Sequence, residues 1–264
     1  MLQQKAIDVM VSGPVATLTL NRPDKHNAIN LEMIRDLTRS VESISATPSV
    51  RILVIRSEGA NFSAGADLNW MKQGQTQSRD QLVSESLELA ALFRILYETD
   101  LLVVAALQGK VMGGALGLVA TADLVIAEAD TRFAFSEVKL GLVPATIAPY
   151  ILRKTGHAVA SDWMLTGRTF DVEEARTAGL IRYTCKQGER DELCASIVEE
   201  LLTGGPEAQK GIKGMLRELS PGQIDKDIEI KTANLIARFR ISDEGQEGMK
   251  AFFEKRKSSW NETE

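Results

Sequence analysis

One acidic residue and two glycine-rich turns carry the chemistry open to this sequence. The acid is Glu137, within Ala134-Phe135-Ser136-Glu137-Val138-Lys139-Leu140-Gly141-Leu142. A carboxylate among apolar residues is costly unless it is paired or functional. The bland alternative is a solvated strand-end glutamate that pairs with Lys139 or Arg132. The first turn lies in Asn61-Phe62-Ser63-Ala64-Gly65-Ala66-Asp67-Leu68, the second in Leu107-Gln108-Gly109-Lys110-Val111-Met112-Gly113-Gly114-Ala115-Leu116-Gly117-Leu118. In the second, the apolar run Leu101 to Leu107 reads as a buried strand, followed by a tight turn and a helix. Unpaired backbone N–H groups at the start of a helix lie at the positive end of its dipole. They can hold an anion, or an oxygen that becomes anionic during a reaction. Two such turns together could supply the two donors of an oxyanion hole. Each alone says less, because Gly113-Gly114 also suits turn geometry and close packing, and Asp67 reads first as a helix N-cap.

These residues need a scaffold, and the sequence sketches one. Ile7 to Val11 and Val15 to Leu20, split by Ser12-Gly13-Pro14, predict a hairpin. Asn30 can cap a helix from Leu31 to about Ala46, with Glu32 in its first turn. Arg51 to Arg56 is a strand whose apolar centre is too continuous for a one-sided sheet. The polar stretch Gln73 to Asp80 reads as a mobile loop. Leu82, Leu89, Leu92, Phe93 and Leu96 recur at helical spacing, so Gln81 to Glu98 is an amphipathic helix. Another strand follows at Asp123 to Ala127. Alternating strands and helices predict an α/β core over residues 1–190. Beyond it, Glu189 to Leu202, Pro206 to Leu219, Ile224 to Arg238 and Asp243 to Lys257 read as helices, giving a C-terminal helical lobe over residues 191–264.

Composition narrows the function classes. The chain has 264 residues, with 44% hydrophobic and 25% charged, as in an ordinary globular protein. A net charge of −5 and no long basic run argue against nucleic acid as the main partner. Cys185 and Cys194 make no disulfide framework and read as reduced thiols. With His26 and His157 they are too poorly spaced for a zinc site, so no metal is expected. Met1-Leu2-Gln3-Gln4-Lys5 has no signal-peptide apolar core, and no apolar stretch is long enough to span a membrane. The expectation is a cytoplasmic protein with no membrane partner.

Together the motifs resemble the crotonase superfamily, the enoyl-CoA hydratases and isomerases, from about Ile7 to Lys257. The resemblance rests on six ordered segments. They are Asn21-Arg22-Pro23-Asp24-Lys25-His26-Asn27-Ala28, Phe62 to Leu68, Gln108-Gly109 through Gly113-Gly114, Ala122 to Ala127, Phe135 to Pro144, and Glu247 to Arg256. It implies a spiral of ββα turns, a C-terminal helical lobe used for trimerisation, and a homotrimer or a homohexamer built from two trimers. It implies an acyl-CoA substrate and no separate cofactor, CoA arriving with the substrate. The backbone N–H groups of Ala66 and Gly114 would then bind the thioester oxygen. Two such donors could lower a barrier by several kcal/mol, roughly 3 for each. Lys25, Ala28, Ala64 and Leu68 match positions that bind the nucleotide and pantetheine arm, and Asp67 lies among them. Phe252 and Lys255 match positions that approach the CoA of a neighbouring subunit.

Two departures matter. The best-known hydratases of the superfamily carry two catalytic glutamates; the second matches Glu137, and the first falls at Gly117, which has no side chain. Ala145 replaces a glycine whose N–H helps to hold water, and alanine keeps that N–H. One carboxylate supports hydration, with Glu137 and backbone groups holding the water, or isomerisation, with Glu137 shuttling a proton between two carbons. Phe62 to Met71, Gly113 to Val119 and Phe135 to Tyr150 resemble the methylglutaconyl-CoA hydratase branch of leucine and acyclic terpene breakdown. That resemblance implies hydration of a branched enoyl-CoA with a second carboxylate, for which Lys72, Arg79 and Lys139 are candidate anchors. A non-catalytic acyl-CoA-binding protein is the alternative from another class.

Overall fold

The computed structural model describes residues 6–219 and 224–261; the reading of Met1 to Lys5 lies outside them. The chain divides into two compact units, Met1–Cys194 and Ala195–Glu264.

The first unit opens with the expected hairpin of β1 (Ile7–Ser12) and β2 (Val15–Leu20), Ile7 opposite Leu20. α1 (Leu31–Ser45) starts where Asn30 accepts a hydrogen bond from Met33 N at 2.9 Å. Its buried stripe is Met33, Ile34, Leu37, Val41 and Ile44, the spacing of one helix face. β3 (Ile52–Ser57) follows, then α2 (Leu68–Gly74) and α3 (Arg79–Glu98). Of the stretch Gln73 to Asp80, only residues 75–78 form a turn; Gln73 and Gly74 end α2, and Arg79 and Asp80 begin α3. Ser78 and Gln81 close a capping box, with Gln81 Oε1 accepting from Ser78 N at 2.8 Å, so these polar residues start a helix.

Next come β4 (Leu102–Leu107), β5 (Lys110–Met112), α4 (Ala115–Thr121), β6 (Leu124–Glu128), β7 (Arg132–Ala134) and a 3₁₀ turn at Ser136–Leu140. α5 (Ala148–Thr166), β8 (Phe170–Asp171), α6 (Val172–Thr177) and β9 (Tyr183–Cys185) complete the unit. One sheet has the order β1-β2-β3-β4-β6-β9, parallel from β2 onward; the other has the order β5-β7-β8. The chain thus places one strand in the large sheet, one in the small sheet, then a helix, and repeats. β4, β5 and α4 make one such turn, and β6, β7 and α5 the next. β3 begins an earlier one, in which Ser63 bridges to Val111 at the small sheet. The sequence suggested a single turn between strand and helix at residues 107–115. Two turns with β5 between them replace it, because a three-residue strand is too short to register in a hydrophobic pattern.

The second unit is helical. α7 (Arg190–Leu202) leads into it, and α8 (Pro206–Glu218), α9 (Lys226–Ile241) and α10 (Asp243–Glu254) follow. The Glu244 carboxylate on α10 accepts from Glu207 N at 2.9 Å and Ala208 N at 2.8 Å, satisfying first-turn donors of α8. α10 stops at Glu254, short of the expected Lys257, because Lys255 turns to φ 53°. Among the described residues no helix is long and apolar enough to cross a membrane. Replacing the Asn30 cap should cost about 1 kcal/mol. Urea unfolding of Asn30→Ala checks this, and an unchanged midpoint would show that the cap adds nothing.

Candidate active site

The two turns meet through a short parallel pairing. Ser63 N donates to Lys110 O and Met112 N to Ser63 O, both at 3.0 Å. Ser63 pairs with Val111, so three residues further along each segment stand Ala66 and Gly114. Their neighbours are hydrogen-bonded. Gly65 N donates to Ser63 Oγ, Asp67 N to Ile29 O, and Gly113 N to Ala134 O. Among the described residues neither Ala66 N nor Gly114 N donates to a protein acceptor. Ala66 is exposed and Gly114 half-buried, so both amides can be reached by a ligand. Two free donors on adjoining segments are the components of an oxyanion hole.

Glu137 sits on the 3₁₀ turn and its carboxylate lies against the second of these segments. A Cβ built on Gly113 would stand 3.1 Å from Glu137 Oε1. Gly113 also has φ 51°, so both its backbone and its neighbour favour glycine. Glu137 Oε2 is buried and has no hydrogen-bond partner among the described residues. Among the described residues no ion pair joins Glu137 to Lys139 or Arg132. Burial therefore dominates and holds the carboxyl above its ordinary value, opposed in part by its own backbone amide. A carboxyl raised by desolvation and lying against the segment that ends in the free Gly114 amide is suited to proton transfer.

The place opposite is filled. A Cβ on Gly117 would fall within the ring of Phe93, which is 0% exposed and comes from α3. Phe93 meets Tyr150 edge-on, with ring centroids 6.2 Å apart. The position that matched the superfamily's first glutamate is thus closed by an aromatic ring. Sequence reading recognised Phe93 only as one residue of an amphipathic stripe. Its link to Gly117 depends on α3 packing on α4, which no local signal gives.

The remaining expected site residues are distributed as follows. Lys25, Ala64 and Leu68 are exposed, and Ala28 is half-exposed. Ala64 N donates to His26 O at 2.9 Å, which joins the Lys25 loop to the first turn. Asp67 is 8% exposed and caps α2 through Asn69 N at 2.8 Å, as an N-cap should. Ala145 is exposed in the loop after Glu137. Phe252 and Lys255 are exposed on the second unit. Arg22, part of a quoted motif but given no role from sequence, binds Asp67 Oδ2 at 3.0 Å. Among the described residues no cluster of His, Cys, Asp or Glu is placed to hold a metal ion.

Gly117→Ala should push a methyl into the Phe93 ring and lose about 1–3 kcal/mol by overpacking. Adding Phe93→Leu should restore most of it. Equal unfolding midpoints for wild type and Gly117→Ala would mean that the ring does not fill this space.

Comparison with known proteins shows the family of the chain. Residues 11–263 match the family model of enoyl-CoA hydratase/isomerase. The crystal structure of an enoyl-CoA hydratase from Shewanella pealeana superposes with a TM-score of 0.94 at 37% identity, covering 98% of this chain and 97% of that one. An enoyl-CoA hydratase of Alternaria alternata is 29% identical over 221 residues, 83% of this chain and 72% of its own. The trans-2-decenoyl-[acyl-carrier-protein] isomerase of Streptococcus mutans is 28% identical over 257 residues, 96% of this chain and 97% of its own. The alternation of strands between two sheets, the following helices and the match along nearly the whole length lead to one conclusion: the chain is a crotonase-fold enzyme of the enoyl-CoA hydratase/isomerase family.

Proposed function

We propose that this enzyme adds water to the double bond of a branched α,β-unsaturated acyl-CoA that carries a second carboxylate, as 3-methylglutaconyl-CoA does. The observation that supports it most is the buried Glu137 Oε2, without a hydrogen-bond partner among the described residues, on a carboxylate that lies against Gly113, the residue before the free Gly114 amide. The thioester oxygen accepts from those two N–H groups. Glu137 as carboxylate takes a proton from water while the hydroxide oxygen bonds to the β-carbon. The pair of electrons displaced from the double bond moves onto the thioester oxygen as enolate. Glu137, now protonated, returns the proton to the α-carbon as the enolate collapses. One carboxylate thus serves as base and then as acid, and the Ala145 amide is offered to the water. The hydratase names of the Shewanella and Alternaria proteins favour this net reaction. Exposed Lys72, Arg79 and Lys139 are the cations offered to the distal carboxylate.

A second reading, migration of the double bond, is favoured by Phe93. An aromatic ring where another carboxylate would stand leaves a single proton shuttle, which isomerisation needs and hydration must share with water. The isomerase name of the Streptococcus protein fits that reading. In both readings the copies assemble as trimers or as pairs of trimers, with Phe252, 78% exposed, and Lys255 directed to a neighbouring copy's CoA.

Mass spectrometry of 3-methylglutaconyl-CoA and a straight-chain 3-enoyl-CoA, incubated with the protein in heavy water, separates the readings. Gain of one water by the carboxylated ester is expected. Deuterium uptake with a moved double bond and no added water would establish the isomerase instead. No mass change on any ester that binds would favour a binding protein.

Glu137→Gln should cut turnover at least ~100-fold and leave acyl-CoA affinity nearly unchanged. It should also raise the melting temperature at neutral pH. A carboxyl whose folded pKa lies above its unfolded value contributes stability below the unfolded pKa and loses it as pH rises through the folded one. The advantage of glutamine should therefore shrink as pH falls through the raised folded pKa and be gone below about 4, the ordinary range for a glutamate. A mutant with most of its turnover would exclude Glu137 as the proton carrier.

A further inference from the structure

The Ala66 peptide is held by an arrangement larger than a turn requires. Ile29 grips it from both sides, donating its N–H to Gly65 O at 2.7 Å and accepting from Asp67 N at 2.8 Å. Both oxygens of Asp67 are engaged, Oδ1 by Asn69 N at 2.8 Å and Oδ2 by the Arg22 guanidinium at 3.0 Å. The other arm of that guanidinium donates to Ala28 O at 2.7 Å. Arg22 therefore ties the residue before Ile29 to the residue after Ala66. Its own backbone is fixed by Asn27, whose Oδ1 accepts from Arg22 N at 2.8 Å. Asn27 is 0% exposed, and its Nδ2 donates to Glu58 O at 2.8 Å and Asn61 O at 2.9 Å. A planar guanidinium suits two acceptors at a fixed separation, which a lysine ammonium does not.

Charge gives a second, independent reason for Arg22. Asp67 is one residue from the amide that would face a developing enolate. A bare carboxylate there would oppose the negative charge forming on the thioester oxygen. The Arg22 side chain is 20% exposed and that of Asp67 11%, so water screens this repulsion poorly and Arg22 must cancel it.

We propose that Arg22 is a positioning residue for the reaction: through Asp67 and Ala28 it fixes the direction of the Ala66 N–H, and it neutralises the carboxylate next to that amide. This rests on Ala66 acting as an oxyanion donor, so the experiment reads that separately. The full-length wild type and the variants Arg22→Lys, Arg22→Gln, Asp67→Asn and Arg22→Gln/Asp67→Asn are compared. The probe is butyryl-CoA labelled with ¹³C at the thioester carbonyl, followed by infrared spectroscopy, with its Kd, the melting temperature and kcat measured alongside.

In the wild type the bound carbonyl band should move to lower frequency. Arg22→Gln should lose at least about half of that movement and ~10- to 100-fold in kcat, the scale of a misplaced or lost donor, while Kd changes less than about threefold. Arg22→Lys should retain part of both. Asp67→Asn keeps an oxygen for the Asn69 amide, so it should fold and lose less. The double variant, free of the bare carboxylate, should recover part of what Arg22→Gln loses. A full carbonyl shift in Arg22→Gln, whatever its melting temperature, would reduce Arg22 to a structural staple and overturn the proposal. If Arg22→Gln does not fold, Arg22→Lys and Asp67→Asn carry the comparison, and wild-type shifts and kcat in both would overturn it equally. No carbonyl shift in the wild type would instead remove the donor role of Ala66, and the proposal with it.

Discussion

The site depends on two stretches of backbone running side by side closely enough to leave their last amides free together. The pairing of Ser63 with Val111 brings Gly65 against Met112; a Cβ on Gly65 would be 3.0 Å from Met112 O. Only a residue without that atom, here at φ 91°, allows the approach. Backbone hydrogen bonds end in register just before Ala66 and Gly114. The donors are free because the ladder stops and the chain on each side turns into a helix, α2 and α4. Such donors are fixed before any substrate arrives and cost no reorganisation during reaction.

Glu137 shows the opposite economy. Most buried polar atoms in native proteins have partners. Among the described residues Glu137 Oε2 has none, and burial makes its charge unfavourable. The fold tolerates this where the second sheet, through β7 and the 3₁₀ turn, delivers the carboxylate beside Gly113. Around it the packing is firm. Phe135, two residues before, lies in a stack with Trp163 and Phe170, whose rings are 3.8 Å apart. Stability is thus given up at one oxygen and supplied by the aromatic layer beneath.

Arg22 and Phe93 act from opposite sides of this arrangement. Arg22 belongs to a polar network that binds the loop after β2 to the first turn. Phe93 belongs to the apolar core and reaches Gly117 from α3. One orients a donor; the other removes the room for a second carboxylate. In the proposed reaction neither carries a reacting atom.

The sequence by itself determined the elements whose signals are local. The β1–β2 hairpin, the Asn30 cap, β3 and the helical character after residue 190 follow from periodicity and capping chemistry. The ordered motifs also identified Glu137, the two glycine turns and the missing carboxylate at Gly117. Composition made the loop at Gln73 to Asp80 longer than residues 75–78, because Ser and Gln suit both loops and capping boxes, and β5 was too short to be seen. Tertiary structure alone decided that the turns meet in register, that the Glu137 carboxylate lies against Gly113, that Phe93 occupies the space beside Gly117, and that Arg22 reaches Asp67. Each of these joins residues 24 to 48 positions apart in the chain. Their distances are set by crossover connections and sheet order, which a pattern of neighbouring residues does not encode.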